Sequence, residues 1–380
     1  FWKVTGYNFG VRKFGLKKRI ENFLSEFAMD IGVDLGTSNT LFYVKEKGVV
    51  IEESTLLARQ KVKRWTGLSA PKNKKAKIIA YGSKAKEMID REPRQIEVVR
   101  PLKRGIVSDL EALESFLDYY LKLIYEVPTK GFKIFKPRVI IGVPGSVTDV
   151  ERRAVKSVFL SLGIRKIFLV EQSILAGIGI GLSVESSSGL MIVDVGGGKS
   201  EVSVVSLGGV VVGKGIKVGG EDWDKAIVNF LKMKYGILIG EKTAENVKIE
   251  LGCLVPDKSK KTRVMVIRGR DLASGLPRSL KINSEEIMEP LLMVGKEITG
   301  LVSAVLDEMP PEITDDVLNK GIWLLGGGGR LKGLDRLIER ETKISVRLVE
   351  EAELAVIKGC GELMENKELL NKVRLISGLG

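Results

Sequence analysis

Asp30-Ile-Gly-Val-Asp-Leu-Gly-Thr-Ser-Asn-Thr40 alternates into a turn of small residues, and the chain returns at once through Leu41-Phe-Tyr-Val44. Apolar and β-branched residues bounded by Gly, Thr, Ser and Asn predict a β-hairpin. Asp34 stands at the end of its first strand. A second segment of the same build lies about 160 residues further on, where Leu190–Val195 carries Asp194 into Gly196-Gly-Gly-Lys-Ser200 and then the strand Val202–Ser206. An acid at a strand end followed by a bare turn can do two things. Its carboxylate can hold Mg²⁺, usually through water, and the turn lets backbone N–H groups approach phosphate oxygens. One such turn is commonly a tight turn and no more. Two copies, with a third glycine run at Gly326–Gly329, can converge on one ligand.

Working outward, Asp109 to Tyr125 repeats Leu110, Leu113, Phe116, Leu117 and Tyr120 behind a cap at Ser108 or Asp109, which predicts a helix. Arg138–Val143 reads as a buried strand ended by Pro144-Gly145, and Asp149–Leu162 as the next helix. A second cycle follows: the strand Lys166–Val170, the glycine-rich helix Ile174–Leu182, and the second acidic turn. A duplicated α/β fold with a cleft between its halves is the simplest architecture. Further on, a helix from Ser284 to Met309 is expected to stop at Pro310-Pro311, and Gly321–Leu325 to be a strand entering the glycine run.

With 380 residues the chain exceeds the usual single core, so two lobes or more are expected. It has no histidine, which excludes Ser-His-Asp triads, Cys-His dyads and histidine-ligated metals. Chemistry falls to carboxylates, lysines, hydroxyls or backbone amides. Cys253 and Cys360 form no C-x-x-C pair, so neither a disulfide framework nor a zinc site is expected, and a reducing cytoplasm is the natural compartment. The net charge of +13 calls for an acidic partner. Its basic residues are dispersed without interleaved aromatics, so no nucleic acid is expected. In the leader, residues 1–28, Leu16, Ile20, Phe23, Leu24 and Phe27 share a helical face, while Arg12, Lys13, Lys17, Lys18 and Arg19 supply a basic side. Such a helix suits a membrane interface, or alternatively the body of the protein. Lys61–Lys77, rich in lysine, reads as an exposed loop.

The sequence contains neither a G-x-x-x-x-G-K-[ST] loop nor a G-x-G-x-x-G opening a helix after the first strand. Phosphate binding by paired hairpins is the signature of the actin, Hsp70 and sugar-kinase superfamily. Within it, the first hairpin resembles the MreB family of bacterial actins. So do Lys136-Pro-Arg-Val-Ile-Ile-Gly-Val-Pro144, Asp149-Val-Glu-Arg-Arg-Ala154, Asp194-Val-Gly-Gly-Gly198, Gly240-Glu-Lys-Thr-Ala-Glu-Asn-Val-Lys248 and Leu325-Gly-Gly-Gly-Gly329. The similarity runs in order from about Met29 to Glu365.

This resemblance implies an α/β actin fold, with duplicated ribonuclease-H-like domains in two lobes and four subdomains around a nucleotide cleft. Subdomain IA would take 29–57, 88–165 and 335–380, IB 58–87, IIA 166–208 and 284–334, and IIB 209–283. It implies an ATPase forming protofilaments with itself, peripheral on the cytoplasmic membrane and working with the cell-wall elongation machinery. ATP and Mg²⁺ are the implied cofactors. Asp34 and Asp194 would organise Mg²⁺. Gly36, Thr37, Ser38 and Asn39 match the first phosphate hairpin, and Gly196, Gly197 and Gly198 the second. Glu151 matches the glutamate that orients the attacking water, although Glu-Arg-Arg on a helix is otherwise a solvated face. Glu245 and Lys248, three apart on a helix, match ribose and adenine contacts, and otherwise read as a surface salt pair. Gly327 and Gly328 match the glycines along which adenosine lies.

Three departures stand out. Where the family reads Asp-Ile-Gly-Gly-Gly-Thr-Thr-Glu, this chain has Lys199-Ser200-Glu201. Lysine cannot accept a hydrogen bond from the hydrolytic water. It could bind the γ-phosphate as a point charge or pair with Glu151, either of which favours binding over hydrolysis. Alternatively Lys199 points into solvent and Ser200 does the work. The family's Gly-Gly-Asp is Gly219-Gly220-Glu221, and its Glu-Glu-Pro is Glu171-Gln172-Ser173. The leading expectation is a membrane-associated filament with slow ATP hydrolysis. The alternatives are a non-hydrolysing scaffold that co-assembles with a conventional relative, or an Hsp70-like or sugar-kinase-like ATPase of the same fold.

Overall fold

The structure is a computed structural model that describes residues 30–61, 76–126, 137–256 and 261–376. The expected basic leader and most of the lysine-rich segment Lys61–Lys77 lie outside the described residues. Two five-stranded sheets organise the chain. The first runs in the order Lys166–Glu171, Arg138–Val143, Asp30–Leu35, Asn39–Val44, Gly48–Ser54. Asp30–Leu35 is antiparallel to Asn39–Val44, with Asp34 opposite Leu41, and parallel to Arg138–Val143. The second sheet repeats this plan in the order Gly209–Ile216, Ser200–Ser206, Leu190–Val195, Ile322–Leu325, Val346–Leu348. There Leu190–Val195 is antiparallel to Ser200–Ser206 and parallel to Ile322–Leu325. The strands Asp30–Leu35 and Ser200–Ser206 are buried along their whole length.

Each large sheet carries a smaller one. Ile78–Tyr81, Leu57–Gln60 and Ile96–Val99 form one, and Ile237–Leu238, Val264–Asp271 and Pro277–Asn283 the other. These memberships redraw the expected subdomain limits. Lys166–Glu171, assigned by sequence to the second lobe, pairs in parallel with Arg138–Val143 and closes the first sheet. Ile96–Val99 pairs with Leu57–Gln60 and extends the first small subdomain past residue 87. Gly209–Ile216 and Val346–Leu348 join the second large sheet. Pairing register decides these memberships, and hydrophobic pattern does not encode a strand's neighbour.

The helices begin where capping chemistry permits. Thr148 and Glu151 form a reciprocal capping box at Asp149–Ser161, and Asn283 and Glu286 do so at Ser284–Leu306. Asp109 Oδ1 accepts from Ala112 N at 2.9 Å at the start of Leu110–Glu126. The helix Pro311–Lys320 was not expected, because Pro310-Pro311 reads as a stop. Pro311 instead occupies the first turn, where a missing N–H costs nothing.

Among the described residues three large apolar clusters hold the fold, with a small fourth around Leu56, Ala58 and Ala85. One fills the first lobe around Phe42, Phe116 and Phe159, and a second fills the other lobe around Trp223 and Ile287. The third belongs to both lobes. It gathers Leu41 and Ile140 from the first sheet, Leu190 and Ile192 from the second, and Leu175, Val356 and Cys360 from the helices Gln172–Gly179 and Ala355–Glu365. These two helices touch through glycine: a Cβ on Gly179 would fall 1.9 Å from Ala355 O, and one on Gly359 1.9 Å from Leu175 O.

Candidate functional site

The two acidic hairpins meet face to face between the lobes. A Cβ on Gly197 would lie 1.8 Å from Ser38 Oγ, and one on Gly198 2.7 Å from Thr37 Cγ2. Glycine at these positions is therefore demanded by hairpin contact. The first hairpin is braced from behind, since Thr55 Oγ1 donates to Gly36 O at 2.8 Å and Thr37 Oγ1 accepts from Gly105 N at 2.8 Å. Gly220 N and Glu221 N donate to Gly196 O and Gly197 O at 3.0 and 2.7 Å, which ties the start of the helix Gly220–Tyr235 to the second hairpin. A Cβ on Gly219 would fall 2.6 Å from Gly196 O. Around the hairpins opens a cavity of about 1710 Å³ whose walls include Asp34, Gly36, Thr37, Ser38, Asn39, Asp194, Gly196, Gly197, Gly198, Lys199, Gly220, Glu245, Lys248, Gly327 and Gly328.

Asp34 and Asp194 both face this cleft, Asp34 buried and Asp194 half-buried. Burial, reinforced by the neighbouring Asp194, pushes the Asp34 carboxyl up to about 7, against a hydrogen bond from Gln172 that lowers it. Gln172 Nε2 donates to Asp34 Oδ1 at 3.0 Å. Burial likewise raises Asp194 to about 6, with Lys199 opposing and Glu201 adding to the shift. Two desolvated carboxylates that repel each other fit a divalent cation, which removes the cost of ionising both. No group of three or more His, Cys, Asp or Glu able to hold a metal occurs among the described residues, so remaining oxygens must come from ligand and water.

Glu245 and Lys248 share the helix Glu241–Leu251 and both reach the cleft. Lys248 Nζ donates to Gly220 O and Asp224 Oδ2 at 3.0 and 2.9 Å. The Glu245 carboxylate is held by Lys86 Nζ at 2.9 Å. A Cβ on Gly327 would meet nothing within 4 Å, whereas one on Gly328 would strike Val195 and Gly196. Gly327 thus faces open space and Gly328 brings the backbone onto the second hairpin.

The expected water-orienting residue lies apart from this wall. Glu151 Oε2 accepts from Thr148 N at 2.7 Å, and its side chain borders a small side pocket that meets the cleft at Gly105 and Pro144. Lys199 Nζ pairs with Glu201 Oε2 at 2.8 Å and lies 3.2 Å from Ser146 Oγ. Its partner is therefore Glu201, and at 15% side-chain exposure it does not stand in solvent. Ser200 is fully buried, its hydroxyl donating to Val218 O at 2.8 Å.

Several cleft residues were missed from sequence. Lys86, Asp90, Arg100, Lys103 and Arg104 also line the cavity. Arg104 reaches across to Lys217 O and to Asp222 Oδ1, the latter at 3.1 Å. No local motif marks Lys86, Asp90, Arg100 or Arg104, whose partners across the cleft lie more than 100 positions away. Gln172 carried a signal only as a departure from Glu-Glu-Pro.

The sequence profile of the MreB/Mbl protein family matches residues 28–372. The chain is 40% identical over 349 residues to the cell shape-determining protein MreB of Escherichia coli (strain K12), covering 91% of this chain and 96% of that protein. It is 37% identical over 349 residues to the cell shape-determining protein Mbl of Bacillus subtilis (strain 168), covering 92% and 99%. Among solved structures, MreB5 of Spiroplasma citri bound to ADP superposes with a TM-score of 0.81 at 33% identity, covering 92% of this chain and 99% of that one. The MamK double helical filament, at 19% identity and a TM-score of 0.70, shares the actin-like fold.

Proposed function

This chain belongs to the MreB/Mbl family, and on that premise we propose that it is an actin-like nucleotide switch. It binds ATP with Mg²⁺ and assembles into filaments that organise cell shape and wall synthesis from the cytoplasmic face of the membrane. The observation that carries this reading is the meeting of two glycine hairpins with the desolvated carboxyls of Asp34 and Asp194 beside them in one cleft. The relatives support it, for MreB5 of Spiroplasma citri has been solved with both ADP and AMPPNP.

The residues divide the work. Gly36, Thr37, Ser38 and Asn39, with Gly196, Gly197 and Gly198, offer amides and hydroxyls to the phosphates. Glu245 and Lys248 address ribose and adenine, Gly219 and Gly220 bring the helix start to the second hairpin, and Gly327 and Gly328 let adenosine lie against the backbone. Asp34 and Asp194 hold Mg²⁺, which supplies positive charge against the phosphates. Glu151 orients water from the side pocket. Lys199 puts an ammonium where the family has a hydroxyl, so turnover is slow. The same substitution favours a second reading, a non-hydrolysing scaffold that co-assembles with a conventional relative.

Contact with both lobes lets nucleotide favour a closed pair, and heterologous contacts between closed copies propagate as filaments. Membrane attachment falls to the basic, aromatic leader. No described helix is long and apolar enough to cross a bilayer. The test is sedimentation of the full chain, and of a chain starting at Ala28, with ATP, ADP or no nucleotide, with and without anionic liposomes. ATP-dependent pelleting is expected, and liposome pelleting that needs the leader. No sedimentation under any condition would remove the filament reading.

A further inference from the structure

The cleft is closed by different physics at its two ends. At the hinge, the third apolar cluster joins both sheets. At the mouth no apolar cluster crosses among the described residues. Leu56, Ala58 and Ala85 pack with their own small subdomain, and Val247 and Leu251 pack within the other lobe. Charge spans the mouth instead. Lys86 Nζ reaches both oxygens of Glu245, at 3.0 and 2.9 Å. Arg100 Nη2 lies 2.6 Å from Glu241 Oε2, and its Nη1 3.6 Å from Glu221 Oε1. Asp90, at φ 63° in the left-handed region, accepts from Glu241 N at 3.0 Å. Every contact joins a first-lobe residue to one of two second-lobe helices, Glu241–Leu251 or Gly220–Tyr235.

We propose that Lys86 and Arg100 are positioning residues that latch the mouth ionically and so set how long a nucleotide stays bound. The proposal rests on the nucleotide reading of the cleft. Glu245 is the residue that reading assigns to ribose, and a carboxylate offers more acceptor sites than one ammonium uses. Lys86 therefore fixes the orientation of Glu245 without exhausting it. Arg100 holds the first turn of the same helix through Glu241. Release of nucleotide requires the lobes to part at the mouth, which breaks these pairs while the apolar hinge stays intact. The partners are partly exposed, with side-chain exposure of 41% and 33% for Lys86 and Glu245, so each pair is weak and screened by salt. A latch of this kind yields readily and reports ionic strength.

The experiment follows release of a fluorescent ADP from the full-length protein by stopped flow. Lys86→Ala and Arg100→Ala are each expected to speed release about two- to fivefold, the worth of one such pair. Wild-type release should accelerate with salt, and the two variants should respond less. Lys86→Arg should restore the wild-type rate. Arg100→Glu should be fast, and adding Glu241→Arg should slow it again, which loss of packing alone would not produce. Hydrogen exchange at Gly196–Gly198 without nucleotide gives a second readout, expected to quicken in both alanine variants. Wild-type release rates and salt slopes in Lys86→Ala and Arg100→Ala would overturn the latch. So would unchanged exchange, whether or not nucleotide binds. Failure of the wild type to take up any nucleotide, with faster exchange in the variants, would overturn the nucleotide reading and leave the latch standing.

Discussion

Lys199 carries its charge into the end of the cleft where the two hairpins meet, and there it and Glu201 are 15% and 6% exposed. Removing one member of so sheltered a pair strands the other, at a cost of about 3–5 kcal/mol when no substitute partner exists. Glu201 has one, since its Oε1 accepts from Ser146 N at 3.0 Å. Lys199→Thr should therefore fold, with some loss of melting temperature, and should release phosphate from ATP roughly tenfold to a hundredfold faster as a hydroxyl becomes available to place water. Equal rates in variant and wild type would show that this position does not limit hydrolysis. The sequence exposed Lys199 as a departure but not its partner. Of the fates weighed for its ammonium, neither Glu151 nor solvent receives it, because the short ladder step from Lys199 to Glu201 puts a carboxylate closer.

The elements most legible in sequence were those whose pattern and boundaries agree. Arg138–Val143 is the strand expected, and both acidic hairpins fold as read. Two kinds of information were hidden. A proline pair masked the helix Pro311–Lys320, and sheet membership of Lys166–Glu171 depends on a neighbour the strand itself does not specify. Contact between the helices Gln172–Gly179 and Ala355–Glu365 was equally hidden, although both are rich in glycine. There a methyl group has no room: Gly359→Ala should force the helices apart and cost about 1–3 kcal/mol, read by urea unfolding. Gly300 is the control, lying exposed in the helix Ser284–Leu306 with nothing within 4 Å of an added Cβ. Gly300→Ala should stabilise by up to about 1 kcal/mol. Equal effects at the two sites would argue against the close helix contact.

For the molecule as a whole, the cleft was readable and the closure was not. Both hairpins announced themselves, whereas Lys86 and Glu245 stand 159 residues apart, with no local pattern to connect them. Closure also desolvates one acid from each lobe, Asp34 buried and Asp194 half-buried, and this makes stability depend on pH. Asp34 and Asp194 sit at about 7 and about 6, above their ordinary 3.8, so the native state keeps protons that the unfolded chain has lost. Their contribution is fully present below about pH 4 and falls as pH rises through 7, a loss of roughly a few kcal/mol. Denaturant titrations of the nucleotide-free protein across pH 5 to 8 should show this fall, and magnesium with ATP should flatten it. A flat profile without nucleotide would mean that the acids are better solvated than their burial implies. The shared hinge core also bears on how the chain is made. A Cβ on Gly32, in the opening strand, would lie 2.7 Å from Cys360 Cβ, and the first sheet completes its packing against Val356, Cys360 and Leu363. The hairpin Asp30–Val44 leaves the ribosome more than 300 residues before the helix Ala355–Glu365 that covers its sheet. At ordinary synthesis rates that is a wait of roughly tens of seconds. The nascent first lobe must spend this interval with an apolar face uncovered, a natural client for a holding chaperone until the closing helix arrives.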